Sequence, residues 1–381
     1  MSQYPNSSYR IPEHIRTIQP YPAGKPADVL RRELGVERLV HLASNENTAG
    51  PSPRAVAALR EAAAEPNLYP DGGGMHLTEA LAAHHGVGTD QIVLGCGSAE
   101  IIDILCRAFV MDGEKVVTSG LGFAQYWLSA HSINADLVKV PPPDDTRKDL
   151  PRQMGEAARD ARLAFIANPN NPTGTYWTRA EVDEYFEAAG DDVLTVLDQA
   201  YFEYVEEPDY PDALDDLKAG RNVIVLRTFS KIHGLAGLRI GYGVAPQPIV
   251  EALHQARLPF NASSLAQAAA LAALGDEEHV AASRRRNREG IEFLTRALED
   301  RGLRVTPSVG NFLLFDVPLP GREVVKAVER RGVLIRGMGG YGLPDSVRVT
   351  VGSREENEAF LAALDDALAG ALESSEGAAS R

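Results

Sequence analysis

Cysteine is nearly absent: Cys96 and Cys106 are the only two in 381 residues. That excludes a disulfide framework and a zinc site built on cysteine. Long apolar runs are missing too. The Ala-rich stretch from Leu265 to Leu274 is interrupted by Gln267 and is far shorter than the ~20 residues a membrane helix needs. The opening residues, Met1-Ser-Gln-Tyr-Pro-Asn6, show neither the charged nor the apolar region of a secretory leader, so a soluble protein of the reducing cytoplasm is expected. Basic charge is in deficit, with 38 Lys+Arg against 53 Asp+Glu and a net charge of −15. A nucleic-acid binder needs a basic face to displace counterions, so neither nucleic acid nor membrane is expected as a partner, and the acidic excess reads as solubility. No histidines stand at metal-ligand spacing, no metal is expected, and no internal repeat is visible.

What is present is an ordinary globular composition, 44% hydrophobic and 24% charged. The length exceeds the ~250–300 residues at which single cores stop growing, so two domains are expected. Residues 1–32 are Pro-rich and read as an irregular arm. Short Val/Ile/Leu-rich runs then alternate with longer amphipathic stretches: Gln91–Gly95, Lys115–Ser119, Leu137–Val140, Leu163–Ala167, Leu194–Leu197, Val223–Leu226 and Ile240–Val244. Such runs suit strands buried on both faces. The fold class is therefore α/β, a mostly parallel sheet flanked by helices over 33–258. A smaller α+β domain follows over 259–370, with helices at Ser264–Leu274 and His279–Arg301, strands at Phe312–Val317, Val333–Ile335 and Arg348–Val351, and a closing helix at Glu355–Leu368. Residues 371–381 read as a frayed tail.

Ligands of open α/β sheets sit beyond the carboxyl ends of the strands. Four such ends carry polar motifs: Gly95-Cys-Gly97-Ser98, Asn168-Pro-Asn-Asn-Pro-Thr-Gly174, Asp198-Gln-Ala-Tyr201 and Thr228-Phe-Ser-Lys231. A buried lysine beside another cation has a lowered pKa and can condense with a carbonyl. Lys231 has Ser230 before it, small residues after it, and Arg239 eight positions on, a fork suited to phosphate. Asp198 ends a strand and suits a carboxylate facing a protonated ring nitrogen. The turn at Gly97-Ser98 offers backbone N–H groups to an anion, and Glu100 stands where a dinucleotide fingerprint needs its third glycine. Arg284-Arg285-Arg286 reads as a solvated helix face, and Cys96 as small buried packing.

With these motifs the chain resembles the fold-type I pyridoxal-phosphate aminotransferases and, more narrowly, the histidinol-phosphate aminotransferases. Pro20-Tyr21, Ser44-Asn45-Glu46-Asn47, Tyr69-Pro70-Asp71, Tyr341-Gly-Leu-Pro344 and Arg348-Val-Thr-Val-Gly352 extend the likeness over roughly 15–365. The resemblance implies that Lys231 holds pyridoxal 5'-phosphate and serves as general base, with Asp198 on the ring nitrogen and Tyr201 and Asn171 on the ring hydroxyl. It implies that Tyr126 stacks on the ring, and that Gly97, Ser98, Ala99, Thr228, Ser230 and Arg239 seat the phosphate. Tyr69 is implied to reach that phosphate from a neighbouring subunit, making the enzyme a homodimer. Arg348 is implied to bind the carboxylate of a 2-oxo acid, with Arg336, Tyr21 and Asn45 completing the substrate contacts.

The reaction implied is ping-pong transamination between L-histidinol phosphate and 2-oxoglutarate, giving imidazole-acetol phosphate and glutamate, a step of histidine biosynthesis. Phenylalanine or tyrosine as amino donor, and decarboxylation of phosphothreonine, are alternatives on the same fold. A non-catalytic cofactor-binding module is the alternative of a different class; no helix-turn-helix pattern precedes residue 30 to support it. Three positions depart from the common pattern: Leu68 where arginine is frequent, Gln199 where glutamate is, and Leu121-Gly122 in place of Pro-Thr.

Overall fold

The computed structural model describes residues 10–19, 26–143 and 147–379. Seven short strands form one sheet: β1 Ile92–Gly95, β2 Lys115–Ser119, β3 Asp136–Val140, β4 Leu163–Ala167, β5 Leu194–Asp198, β6 Val223–Thr228 and β7 Gly241–Val244. Their order across the sheet is β1-β7-β6-β5-β4-β2-β3. All neighbours pair in parallel except β7, which runs antiparallel to both β1 and β6. The carboxyl ends of β1 through β6 therefore line one edge. Every residue of β5 and β6 is buried, as it must be for strands covered by helices on both faces. Two apolar clusters do the covering, one containing Leu81, Tyr185 and Ala269, the other Ile101, Leu105 and Tyr126.

A second, four-stranded antiparallel sheet joins Val305–Thr306, Phe312–Asp316, Ser346–Thr350 and Arg336–Gly337. Its core takes in Leu294, Phe315, Val347 and Phe360, together with Val40 and Leu42 from far upstream. Val40–His41 pairs in parallel with Val333–Leu334. The strand expected over Val333–Ile335 thus stops at Leu334, and after Ile335 the chain enters the second sheet as Arg336–Gly337. Arg147 bonds Asp316 and Ser346, tying the stretch after β3 to this sheet.

Several elements differ from expectation. The arm is not irregular throughout: Glu13–Thr17 and Ala27–Leu34 are helices. Pro26 precedes the second, where a missing N–H is harmless, and Gly35 closes it with φ 69°. Helices at Ala124–Ser132, Pro151–Ala158 and Gln247–Ala256 were not anticipated. The closing helix runs Arg354–Ala379, past the expected end at Leu368 and through the expected tail, a stretch rich in the strong helix formers Ala, Leu and Glu. Cys96 is exposed rather than buried; its N–H donates to Glu100 Oε2 at 2.6 Å in the turn after β1. Among the described residues no helix is long and apolar enough to cross a membrane, and no group of three acidic, histidine or cysteine side chains could hold a metal ion.

Candidate active site

The edge formed by the strand ends holds a cleft of about 590 Å³, open to solvent, whose walls include Ser98, Asn171, Asp198, Tyr201, Ser230, Lys231 and Arg239. A second cavity of about 460 Å³ adjoins it, walled by Ser44, Asn45, Arg336, Tyr341 and Arg348 among others. Phe123, Asn171 and Lys231 line both. The lysine amine thus stands where the two spaces meet.

At the end of β5, Asp198 is buried, and Ala200 N–H and the Tyr126 hydroxyl donate to its two oxygens at 3.1 and 2.7 Å. Burial pushes its carboxyl up to about 6 despite those bonds and the nearby lysine. Lys231 follows β6, and its Nζ donates to the Ser44 carbonyl at 3.2 Å. Burial, with the Arg348 and Arg239 guanidinium groups nearby, brings its amine down to about 8. An amine held there is partly neutral near physiological pH, the form that attacks a carbonyl.

The anion end is built by backbone shape. Gly97 has φ 73°, and a Cβ on it would lie 2.5 Å from Arg239 Nη2. The left-handed backbone favours glycine there, and a side chain would have to displace the tip of Arg239. Arg239, also left-handed at φ 55°, donates to Ser230 Oγ at 3.3 Å. Gly241 at the start of β7 performs the same service from beneath: a Cβ there would stand 2.5 Å from Ser98 N. The helix Ser98–Phe109 begins at this turn, so its free N–H groups, Ser98, Ser230 and Arg239 converge on one place. Thr228 turns its hydroxyl onto the Ile240 carbonyl at 3.3 Å and accepts from Ser230 N–H; it shapes the loop from the cleft wall.

Arg348 and Arg336 are direct cross-strand partners in the second sheet, which places both on the second cavity. Arg348 donates to Asn171 Oδ1 and, at 2.8 Å, to the Ala43 carbonyl. With its oxygen occupied, Asn171 has its NH₂ left for the cleft. Asn45, expected among the substrate contacts, is 1% exposed and spends its amide on the Tyr201 oxygen at 2.9 Å.

Tyr126 departs from its expected place. Its ring lies stacked on Phe165, centroids 4.7 Å apart at 9°, and its hydroxyl serves Asp198, so it meets the cleft from within the core. Phe123, perpendicular to it at 5.7 Å, is half-buried and faces both cavities. Sequence reasoning missed Phe123, Ser44 and Asn45's true partner. Phe123 and Tyr126 are three apart, so spacing alone cannot tell which is held by the core. Tyr69 is 83% exposed and stacks on Phe260 at 4.8 Å, away from its own chain's cleft. Tyr21 lies outside the described residues. Gln199, one of the departures, has a structural use: it donates to Tyr210 and the Pro211 carbonyl and accepts from Arg227.

A group with an anion at one end, a basic ring nitrogen toward Asp198, an oxygen toward Tyr201 and Asn171, and a carbonyl in reach of Lys231 fits these donors throughout.

Comparison with known proteins agrees. Residues 37–364 match the family described as aminotransferase class I and II. A histidinol-phosphate aminotransferase of Anaeromyxobacter sp. (strain Fw109-5) is 47% identical over 93% of this chain and 98% of its own. Another, of Moorella thermoacetica, is 44% identical over 94% and 92%. The crystal structure of the histidinol-phosphate aminotransferase of Sinorhizobium meliloti in complex with pyridoxal-5'-phosphate matches with a TM-score of 0.86 and 30% identity, covering 96% of this chain and 99% of that one. The chain belongs to the class I and II aminotransferases, in the branch shared with the histidinol-phosphate aminotransferases.

Proposed function

We propose that the chain is a pyridoxal-phosphate enzyme that moves the amino group of L-histidinol phosphate to 2-oxoglutarate, releasing imidazole-acetol phosphate and glutamate. The observation that carries this is the placement of the Lys231 amine between an anion-seating cleft and a cavity walled by two arginines. Lys231 holds the cofactor aldehyde, and Gly97, Ser98, Ala99, Thr228, Ser230 and Arg239 seat its phosphate. Asp198 faces the ring nitrogen, Tyr201 and Asn171 the ring oxygen, and Phe123 in place of Tyr126 lies against the ring. When bound, the group supplies an electron sink for the carbon that loses its proton. Lys231 then moves that proton, and burial keeps its amine basic but deprotonatable near pH 8.

Arg348 binds the carboxylate of the 2-oxo acid by a two-pronged contact. Arg336 joins it for the phosphate of the amino donor, with Tyr21 from the arm. Two guanidinium groups on one strand pair suit both anions, so one cavity serves both halves of a ping-pong cycle. We further assign 33–258 to a large cofactor-binding domain and 259–370 to a small one, between an arm and a C-terminal tail. The enzyme works in the cytoplasm as a homodimer: Leu68, Tyr69, Met75, Leu258 and Phe260 are all exposed, and a second copy of the chain covers them while Tyr69 reaches the partner's phosphate seat.

Single-donor half-reactions test this reading. Loaded protein mixed with histidinol phosphate alone loses its visible band, and glutamate does the same. Release of CO₂ from phosphothreonine, or a kcat/KM tenfold or more in favour of phenylalanine, overturns the substrate assignment.

A further inference from the structure

Ala43, Ser44 and Asn45 are consecutive, and each touches a different functional side chain. The Ala43 carbonyl accepts from Arg348, the Ser44 carbonyl from Lys231, and the Asn45 amide donates to Tyr201. Asn45 is itself fixed from several sides. Its backbone is left-handed at φ 58°, its N–H donates to Thr350 Oγ1 at 2.9 Å, and its carbonyl accepts from Asn311 at 3.1 Å. The Thr350 hydroxyl donates in turn to Asn45 Oδ1 at 3.4 Å, which orients the amide with its NH₂ toward Tyr201. A strained residue held this firmly marks a place where geometry matters.

A phenol has one hydrogen to give. The Tyr201 oxygen receives the Asn45 amide hydrogen on one side, and its ring is fixed edge-on against Phe312 at 5.2 Å. The cleft is the other space that Tyr201 lines. We propose that Asn45 is a positioning residue: by donating to the Tyr201 oxygen it obliges the phenol to donate its own hydrogen into the cleft. Burial pushes the Tyr201 phenol up to about 12, so that hydrogen is present at working pH. Asn171 comes to the same polarity from the other side, its oxygen taken by Arg348. Two donors then meet one ring oxygen and hold it in its anionic form. This inference rests on the cleft being a seat for pyridoxal phosphate.

The test is a pH titration of the visible band that pyridoxal phosphate gives on the full-length enzyme, alongside its dissociation constant. Asn45→Asp keeps the size and tolerates the left-handed backbone, but can only accept, so it draws the Tyr201 hydrogen away. Its band pKa is expected to rise by about one or more, as for Tyr201→Phe, with weaker cofactor binding in both. The Asn45→Asp/Tyr201→Phe double variant is expected to rise no further than Tyr201→Phe alone. Asn45→Gly, which relaxes the backbone and removes the amide, is expected to rise by less, and it carries the reading if the carboxylate prevents folding.

A wild-type band pKa in Asn45→Asp or Asn45→Gly while Tyr201→Phe moves overturns the proposal. So does an Asn45→Asp effect that persists in full without the tyrosine hydroxyl, since bare charge then explains it. A wild-type protein that gives no band with pyridoxal phosphate defeats the functional reading instead.

Discussion

At neutral pH a carboxyl whose pKa stands at about 6 is ionised with little to spare. Asp198 therefore depends on the Tyr126 hydroxyl. Tyr126→Phe removes a hydrogen bond to a buried charged group, worth about 1.5–3 kcal/mol, and lets the carboxyl rise further. Pyridoxal phosphate should bind at least about tenfold more weakly at pH 7, and the loss of affinity on acidification should begin at a higher pH than in the parent; titrating the dissociation constant against pH measures both. Lys231 acts in the opposite sense. Its amine is lowered from 10.5 to about 8 in the fold, so between those values the unfolded chain holds a proton that the folded one does not, and stability rises with pH across that interval. Below about 8 the penalty is fully present. The cofactor-free Lys231→Met variant should then be more stable than its parent at pH 7, by on the order of 3 kcal/mol before relaxation. That advantage should shrink as pH climbs toward 10.5; urea titrations at pH 7 and 10 would show no narrowing if the lysine were not held this way.

The elements that place these side chains were legible in unequal degree. β5 and β6 announce themselves as short apolar-rich runs, Leu194–Leu197 and Val223–Leu226, leading to Asp198 and Thr228, because a strand covered on both faces shows little polar side. β7 reads equally well as a strand, yet its direction does not follow from composition: Gly241 sits where it does because the Gly97-Ser98 turn needs the space above it. The early end of the expected strand at Leu334 was invisible, since its partner, Val40–His41, is two residues long and distant in sequence. The helix Pro151–Ala158 was missed because Gly155 breaks its propensity. The structure shows why glycine is there: a Cβ would stand 2.5 Å from the Tyr185 carbonyl and 2.7 Å from Ala188 Cβ on the helix Arg179–Ala189. A glycine-to-alanine change inside a helix ordinarily stabilises by up to about 1 kcal/mol. Gly155→Ala should reverse that sign and cost about 1–3 kcal/mol through overpacking, seen as a lower urea midpoint with an unchanged slope.

Across the whole molecule, charge and exposed apolar surface pull in different directions. A net charge of −15 keeps chains apart, while Leu68, Tyr69 and Phe260 are exposed apolar side chains that the proposed second copy would cover. Leu68→Asp with Phe260→Asp should halve the mass found by sedimentation and weaken cofactor retention together; a dimer of unchanged stability would dissociate the two ideas. Acid sensitivity is also a global property here. Burial lowers the His85 and His233 imidazoles to about 3 and about 4, so each is neutral in the fold and charged when unfolded below about 6.5. Both contributions are complete above that pH and are lost progressively as it falls toward 4, which predicts a unfolding midpoint in urea that drops between pH 7 and 5. Replacing His85 by glutamine should flatten part of that slope.

The two thiols, finally, differ as much as two cysteines can. Cys106 is sealed in the core with its thiol raised to about 12, and Cys96 stands in the open two residues before Ser98. A maleimide dye therefore has one place to attach on the native sequence. It would sit at the lip of the proposed phosphate seat, a ready-made optical gauge of loading that needs no engineered handle.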